Sequence, residues 1–501
     1  MERVEKTLAW SAFGLTAAVI LLAPWCFGAW EVWWFWPFLV LIFMTTALFG
    51  VQLLLKATHH ETHTVSRRGG SSSSGAKRRR RRRKVEPRKR RPWRLISLLA
   101  CLLFLGYAVL RFMQAPVLSD AQRSLCLFVT PFLLGLQIVY GFNGRRRLLL
   151  HRMIMFNLLL LGLYGLINHA ITGSSLVLWR PGFPQYLHRA SGSYFCPDHY
   201  AGIMEVAFCM ALGVLCSRSS TWRWRIAATL LSGVAVAGVL LSQSRGGGLT
   251  LLVVLAAAWG WGVVQYPPRR RWALRGMALA LVLVGLFVAH QTQGNYFKRF
   301  GSWFGWNRAR EQPFAEAVDT VTQSVQHTSR WVMLSGAMRA WTDAPLRGIG
   351  PGMHQNMWPH VAASGDGDRA TGTWPTRLNN RHYSYEVHND WAQLLEEYGL
   401  IGFCLLLGVV ASLGGALIDS TRESAYTHLP DEASPTKTGR YFPLVTGAGL
   451  TLLAMAFHSL GDFNLQMPAT AWLVAVVIAI GMASATRRAT RSPSAYSEND
   501  A

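Results

Sequence analysis

Twelve stretches of mostly apolar residues run along this chain of 501 residues, and they constrain its fold more than any other feature. A helix needs roughly 20 such residues to cross the hydrocarbon core of a bilayer, which is about 30 Å thick. Because each stretch is close to that length, the sequence predicts an all-α integral membrane protein with about 12 transmembrane helices. The predicted spans lie near residues 8–27, 31–55, 95–112, 122–141, 153–171, 199–216, 226–243, 248–265, 274–290, 399–418, 441–460 and 469–486.

The distribution of lysine and arginine over the loops predicts how these spans are oriented. If the N-terminus is cytoplasmic, the cytoplasmic segments hold 35 of the 50 basic residues, which agrees with the positive-inside rule. Ten of the others belong to residues 291–398, which carry ten acidic residues and form a segment long enough to cross the membrane whatever its charge. An even number of spans then places both termini in the cytoplasm.

The net charge of +25 comes largely from one loop, residues 56–94. Eight consecutive basic residues, 77–84, follow a Gly/Ser run there, and self-repulsion predicts a disordered cytoplasmic loop. Anionic membrane lipids are its expected partner. Only 15% of the chain is charged and 51% is hydrophobic, which excludes a soluble basic protein, and we expect no nucleic-acid partner.

These features predict how the chain is organised. Residues 291–398 are polar and too long for a simple connector, so this large extracytoplasmic loop is expected to be functional and to contain short helices. The predicted parts are residues 1–55 with two spans, the basic loop 56–94, residues 95–290 with seven spans, the large loop 291–398, residues 399–486 with three spans, and a cytoplasmic tail, 487–501.

The most informative stretch for chemistry begins at His388. Asp390 followed three residues later by Gln393 resembles a capping box and predicts a helix that begins near Asp390. His388 would lie just ahead of the helix N-terminus, where the helix dipole favours a neutral imidazole and attracts anions. That position suits a general base beside a phosphate. The alternative is an interfacial histidine that only caps or packs.

Arginines on the same side of the membrane are candidate partners for a phosphate. Arg245 precedes three glycines at the outer end of the seventh span, where its planar fork and the exposed backbone would suit an anion. Alternatively, Arg245 extends toward lipid headgroups. Arg330, Arg339 and Arg347 lie in the large loop, and the sequence alone does not choose among them.

A metal site finds little support in the sequence. Asp366 and Asp368 have the spacing with which some glycosyltransferases hold a divalent metal, but their surroundings favour a solvated loop tip. Polar groups gather at two outer span ends, 198–199 and 458–462, without a zinc-ligand spacing. Glu205 lies inside the sixth span, so it is either partnered within the bundle or on a substrate path.

Several motifs, taken in order, resemble the O-antigen ligase/polymerase superfamily of bacterial envelope enzymes. Arg245-x3-Leu249 is similar to an Arg-x3-Leu element, and His388-Asn389 followed after nine residues by Gly399 resembles the ligase signature H[NSQ]-x9-G-x-x-[GTY]. Residues 193–202 resemble a third stretch, with Cys196 and Asp198 where asparagine is usual, and residues 343–352 and 458–463 also match. The basic insert departs from the usual pattern.

The resemblance implies a GT-C-like helical transferase that works without a metal or other cofactor. Its donor would be an undecaprenyl-diphosphate-linked glycan on the periplasmic side of the bacterial inner membrane. The acceptor would be lipid A–core oligosaccharide for a ligase, a second carrier-linked repeat unit for a polymerase, or a protein hydroxyl in some relatives.

The resemblance also suggests roles for individual residues. His388 would be the base that takes the proton of the acceptor hydroxyl. Arg245 and one loop arginine, with Arg330 as the best candidate, would neutralise the diphosphate. The substrate-binding candidates are Asn389, Asp198, His199, Arg339 and Asp462.

Two other classes of protein remain compatible with the sequence. A 12-helix secondary transporter is the main rival, although such transporters carry internal repeats and midplane polar sites, whereas here the polar residues gather at the outer span ends. In a third interpretation the basic loop itself is the functional part and binds nucleic acid or anionic lipid.

Overall fold

The computed structural model describes residues 2–67, 92–217, 220–265, 298, 301–302, 304–326, 328–364, 384–426 and 442–485. Helices make up most of these residues, which confirms the predicted all-helical class. They are α1 (Glu2–Leu22), α2 (Val32–Arg67), α3 (Trp93–Met113), α4 (Leu118–Leu136), α5 (Gly144–Thr172), α6 (Pro197–Leu215), α7 (Trp222–Leu241), α8 (Arg245–Gln265), α9 (Trp306–Ala309), α10 (Phe314–Gln326), α11 (Ser329–Asp343), α12 (His354–Ser364), α13 (Asp390–Tyr426), α14 (Phe442–His458) and α15 (Pro468–Ala485).

Eight of the described helices are long and apolar enough to cross a membrane, so this is a multi-pass membrane protein. They are α1 to α7 and α13. Helices α8, α14 and α15 are apolar but have shorter apolar segments. These eleven helices coincide with eleven of the predicted spans, and the remaining one, 274–290, lies outside the described residues. The count of twelve and the cytoplasmic position of both termini stay predictions.

Two helices extend beyond the predicted boundaries. Helix α2 continues through the start of the predicted basic loop as far as Arg67, because no glycine or proline interrupts the chain between Gly50 and Gly69. Residues 68–91, with the basic run, lie outside the described residues. Helix α13 begins at Asp390 and kinks at Gly399, whose φ of 65° and ψ of −173° are not helical. The large loop and the tenth predicted span are therefore continuous.

Helix α6 forms the centre of the hydrophobic core and is buried along almost its whole length. It packs most extensively against α14 and α7. The backbones of α6 and α14 approach closely at Gly213, where a side chain would overlap the carbonyl oxygen of Pro443. Small residues allow such close approach between membrane helices. At the other end of α14, His458 also lies beside α6, 2.7 Å from Glu205.

The connection between α5 and α6 folds back over the outer ends of the helices. It contains a short antiparallel hairpin of β1 (Leu176–Val177) and β2 (Arg180–Pro181), with Leu176 opposite Pro181 and Val177 opposite Arg180. Further along, the backbone N–H of Ala190 donates to the carbonyl of Leu241 at 2.9 Å. This bond fixes the neighbouring Arg189 at the end of α7.

The described part of the large loop contains the helices α9 to α12, which agrees with the short helices predicted there. Helix α11 begins after Thr328, whose hydroxyl accepts a hydrogen bond from the backbone N–H of Trp331 at 3.3 Å. Gly336 also belongs to α11, and the ring of Trp358 from α12 packs over it. Helix α11 also packs against α13. The segments predicted to be extracytoplasmic therefore meet at one end of the helical bundle.

Candidate active site

Asp462, between α14 and the 3-10 turn Asn464–Gln466, is at the centre of a cluster of charged side chains. Its carboxylate is 1% exposed and lies 3.3 Å from Nδ1 of His388 and 3.5 Å from Nη2 of Arg330. The backbone N–H of Phe463 donates to it at 2.9 Å. Burial alone would raise the pKa of Asp462, but the Arg330 guanidinium and the His388 hydrogen bond hold it well below its usual range. Asp462 is therefore an anion at neutral pH.

Arg330, at the start of α11, joins two carboxylates. Nη2 lies 3.4 Å from Asp198 in the first turn of α6 and 3.5 Å from Asp462. Burial alone would lower the pKa of Arg330, but the two carboxylates raise it. Because both contacts use Nη2, the donors on Nη1 and Nε remain for a ligand.

Asp198 has a second arginine partner that the sequence did not reveal. Nη2 of Arg189 lies 2.9 Å from Asp198, and Nε of Arg189 donates to the carbonyl of Ser242 at 2.8 Å. The sequence did not single out Arg189, because it lies in an irregular loop that also contains Arg180 and His188. Asp198 and Asp462 thus neutralise Arg189 and Arg330, and the group as a whole is nearly neutral.

The ring of Phe463 separates two histidines. It meets the imidazole of His388 edge-on at 4.6 Å between ring centroids and that of His199 at 4.5 Å. His199 is buried in the first turn of α6, whereas His388 remains partly exposed. His388 is therefore the histidine of the pair that an external substrate can reach.

Arg245 begins α8 beside a buried ion pair. Nδ1 of His458 lies 2.7 Å from Glu205, and both side chains are fully buried, so Glu205 is partnered within the bundle. Nε2 of His458 lies 3.9 Å from Asp462. A side chain on Gly246 would lie 3.1 Å from this same nitrogen, so the backbone that follows Arg245 packs directly on His458. The backbone at the start of α8 therefore lies beside the Asp462 cluster.

The helix after His388 begins at the predicted residue, but the proposed capping pair is wrong. Asn389 is the cap, because its side-chain oxygen accepts from the backbone N–H of Ala392 at 2.9 Å. Asp390 instead accepts from the hydroxyl of Ser459 at 2.7 Å. Both amide atoms of Asn389 are used in the fold, since its nitrogen donates to the carbonyl of Leu460 at 2.9 Å. Its predicted role in substrate binding must compete with these bonds.

Arg339 does not share the face of α11 that carries Arg330. Nine residues at about 100° each place the two side chains about 180° apart around the helix axis. Its role in substrate binding stays a prediction. Asp366 and Asp368 lie outside the described residues. In the part of the chain that the structure describes, no group of three or more His, Cys, Asp or Glu side chains could hold a metal ion.

An apolar cavity of about 340 Å³ runs between α3, α4, α13, α14 and α15 beside this cluster. Most of its lining is aliphatic or aromatic, and its polar lining residues near the site include Asp390, Gln393, Glu397, Ser459 and Gln466. Asp390 is two residues from His388. The site therefore combines a partly exposed imidazole on a buried carboxylate, arginine donors and an apolar cavity deep within the bundle.

The comparison with known families agrees with this geometry. Residues 227–407 match the family model described as O-antigen ligase, a segment that contains Arg245, Arg330 and His388. No curated protein matches the chain. The family match confirms, over residues 227–407, the resemblance of the ordered motifs to the O-antigen ligase superfamily.

Proposed function

We propose that this protein transfers a glycan from undecaprenyl diphosphate to an acceptor hydroxyl on the periplasmic side of the inner membrane. The contact between His388 and Asp462, 3.3 Å apart, is the observation that carries the proposal. It couples a reachable imidazole to a buried anion within a cluster that also contains Arg330.

His388 is the general base of this reaction. When Nδ1–H of His388 faces Asp462, the lone pair on Nε2 accepts the proton of the acceptor hydroxyl. The acceptor oxygen then forms a bond to C1 of the donor sugar, and the bond from C1 to the diphosphate oxygen breaks. The electron pair of that bond leaves with the diphosphate. Asp462 stabilises the imidazolium that forms, as the carboxylate of a catalytic triad does.

The arginines stabilise the departing diphosphate. Negative charge develops on its bridging oxygen as the bond to C1 breaks, so fixed cations at that point lower the barrier. Arg330 offers the donors of Nη1 and Nε, and Arg245 adds a second cation at the N-terminus of α8. Phosphates bind well at helix N-termini, where backbone N–H groups and the helix dipole favour negative charge. Two guanidinium forks supply this charge without a metal.

The apolar cavity supports a lipid-borne donor. Its lining suits a hydrocarbon chain, and a volume of about 340 Å³ lies within the usual range of ligand pockets, about 300–1,000 Å³. Because Asp390 lines the cavity, a chain held there would leave its headgroup near His388. A soluble nucleotide-sugar donor would have no use for such a cavity.

The test is the substitution His388→Ala in the full-length protein. Membranes from the native host lacking this gene supply their own carrier-linked glycan and acceptor, and the purified variant is added to them in lipid vesicles. We expect transfer to fall at least about 100-fold, since a positioned base contributes about 10²–10⁴-fold. His360→Ala, an exposed histidine of α12, is the control and should transfer normally. Full transfer by His388→Ala refutes the proposed base.

The same deletion host distinguishes the acceptor. Loss of the polysaccharide ladder on lipid A–core, with the carrier-linked polymer retained, indicates a ligase. Accumulation of single carrier-linked repeat units indicates a polymerase. Counterflow of a sugar or lipid in vesicles without any new glycosidic bond would instead support a transporter.

A further inference from the structure

The side chain of Gln393, one turn into α13, makes hydrogen bonds to three other residues. It is 4% exposed. Its Oε1 accepts from the backbone N–H of Val387 at 3.2 Å, and its Nε2 donates to the carboxylate of Glu386 and to that of Glu397, the latter at 3.1 Å. The amide thus connects the helix to the two residues that precede His388.

His388 needs such a connection because its backbone is in an unfavourable conformation. Its φ is +57°, in the left-handed region that residues with a side chain seldom occupy. A residue held in this region costs about 1–3 kcal/mol and keeps the conformation only when its surroundings impose it. Asn389 fixes the chain after His388 through the helix cap, whereas Gln393 fixes the chain before it.

We propose that Gln393 is a positioning residue, which holds the turn at His388 so that the imidazole faces Asp462 and the acceptor. The proposal rests on the role of His388 as the base. Gln393 acts on the imidazole through Val387 and Glu386, although its side chain also lines the apolar cavity proposed for the carrier chain. Its removal lets the turn relax and moves the imidazole away from its position 3.3 Å from Asp462.

A second path, a chain of hydrogen bonds, connects the segment of Ser384 and Glu386 to α13. Nδ1 of His354 lies 2.8 Å from Glu396, and Nε2 of His354 lies 2.9 Å from the hydroxyl of Ser384, which donates to the carbonyl of Glu386 at 3.0 Å. Burial alone would lower the pKa of His354, but the Glu396 carboxylate raises it above its usual value. The protonated ring donates from both nitrogens, as this path requires.

Only an amide fits the position of Gln393. One oxygen must accept from a backbone N–H, and one nitrogen must donate to two carboxylates, which a glutamine provides. Burial raises the pKa of Glu386, and the hydrogen bond from Gln393 opposes that rise. A leucine of similar size would leave a buried N–H and two buried carboxylates without this partner.

The test compares Gln393→Leu and Gln393→Glu in the membrane transfer assay described above. For Gln393→Leu we expect kcat to fall about 10–100-fold with little change in KM, because misplacement by about 1 Å costs about 10²-fold in rate. Gln326→Leu, an exposed glutamine of α10, is the matched control and should be unchanged. The melting temperature of each purified variant reports separately on folding.

Gln393→Glu adds a readout that a purely structural role would not change. The new side chain faces the carboxylates of Glu386 and Glu397. The charged or titratable groups beyond them are Glu396, His354, Arg123, His388 and Asp390. While protonated, the new side chain still donates one hydrogen bond. Once ionised, it repels both neighbours, and buried glutamates beside carboxylates titrate as high as about pH 8–9. Its transfer rate relative to wild type should therefore fall as the pH rises from about 6 to about 9.

Several results would overturn the proposal. Transfer by Gln393→Leu within twofold of wild type, a change in KM alone, or a pH-independent ratio for Gln393→Glu would each contradict it. If Gln393→Leu does not fold, the pH series of Gln393→Glu decides alone. Loss of transfer in His388→Ala with normal kinetics in both Gln393 variants refutes the positioning role and leaves the proposed function intact. Full transfer in His388→Ala refutes the general-base role on which the proposal rests, and absence of transfer by the wild-type protein refutes the function itself.

Discussion

Replacing Asp462 with asparagine tests the coupling between the carboxylate and His388. The substitution keeps the size and one oxygen of the side chain, so the N–H of Phe463 retains its acceptor. It removes the charge that lies 3.3 Å from His388 and 3.5 Å from Arg330. The fold is preserved as far as one substitution permits, and the imidazolium loses its counter-ion.

The structure sets the size of the expected effect. At 3.3 Å and an effective dielectric constant of about 20, two unit charges attract by about 5 kcal/mol, which is an upper bound because His388 is partly exposed. A hydrogen bond to a charged group contributes about 1.5–3 kcal/mol net. At about 1.4 kcal/mol for each factor of ten, kcat/KM should fall about 10-fold to about 150-fold.

The assay measures initial transfer rates by Asp462→Asn in membranes of the deletion host. Asp319→Asn, an exposed aspartate of α10, controls for the loss of one negative charge from the same side of the protein. A rate above half that of wild type would refute the coupling. A loss accompanied by collapse of the melting temperature would assign Asp462 a structural role, since breaking a buried ion pair can itself cost about 3–5 kcal/mol.

Three further predictions follow from other parts of the structure. Gly399→Ala should destabilise the protein by at least about 1–3 kcal/mol, because its φ is +65° and a side chain would overlap the backbone of the loop before α12. The control Gly408→Ala, which has open space on the same helix, should be neutral or stabilising, and thermal unfolding of both variants measures the difference. Arg330→Lys should lower transfer at least about tenfold while Arg308→Lys does not, since one ammonium can replace the Nη2 contacts to Asp198 and Asp462 but not the further donors on Nη1 and Nε. Because the pKa of His354 is raised, its stabilising protonated form is fully present below about pH 6.5 and is lost as the pH rises through the raised pKa. The melting temperature of the wild-type protein should therefore fall, relative to that of His354→Gln, as the pH rises above about 6.5.

The sequence predicted the helices well because hydropathy is a local property. Five of its site candidates lie together at one end of the bundle: His388, Arg330, Asp198, His199 and Asp462. Their roles stay predictions. Each lies at or near the predicted outer end of a span, so membrane topology alone brings them to the same side.

The specific pairings could not be predicted, since they join residues far apart in the chain. Glu205 and His458 are separated by 253 positions, and only the packing of α6 on α14 makes them neighbours. The cap at Asn389 was missed because asparagine and aspartate are equally good caps and the sequence offers both in succession. The contacts of Arg189 with Asp198 and of Gln393 with Val387 and Glu386 could not be predicted for the same reason as the Glu205–His458 pair, because tertiary structure determines them.

The pairing of Glu205 with His458 also has a consequence for how the protein enters the membrane. During synthesis, α6 is made 253 residues before its partner histidine. A charged side chain near the middle of a span costs about 2.5–3.5 kcal/mol during insertion. Glu205 must therefore enter the bilayer protonated or remain shielded by neighbouring helices until α14 arrives. Insertion of α14 thus supplies the partner of Glu205, and Asp462 directly after it completes the charge cluster. A chain truncated before α14 should therefore insert less stably and be degraded early by membrane proteases.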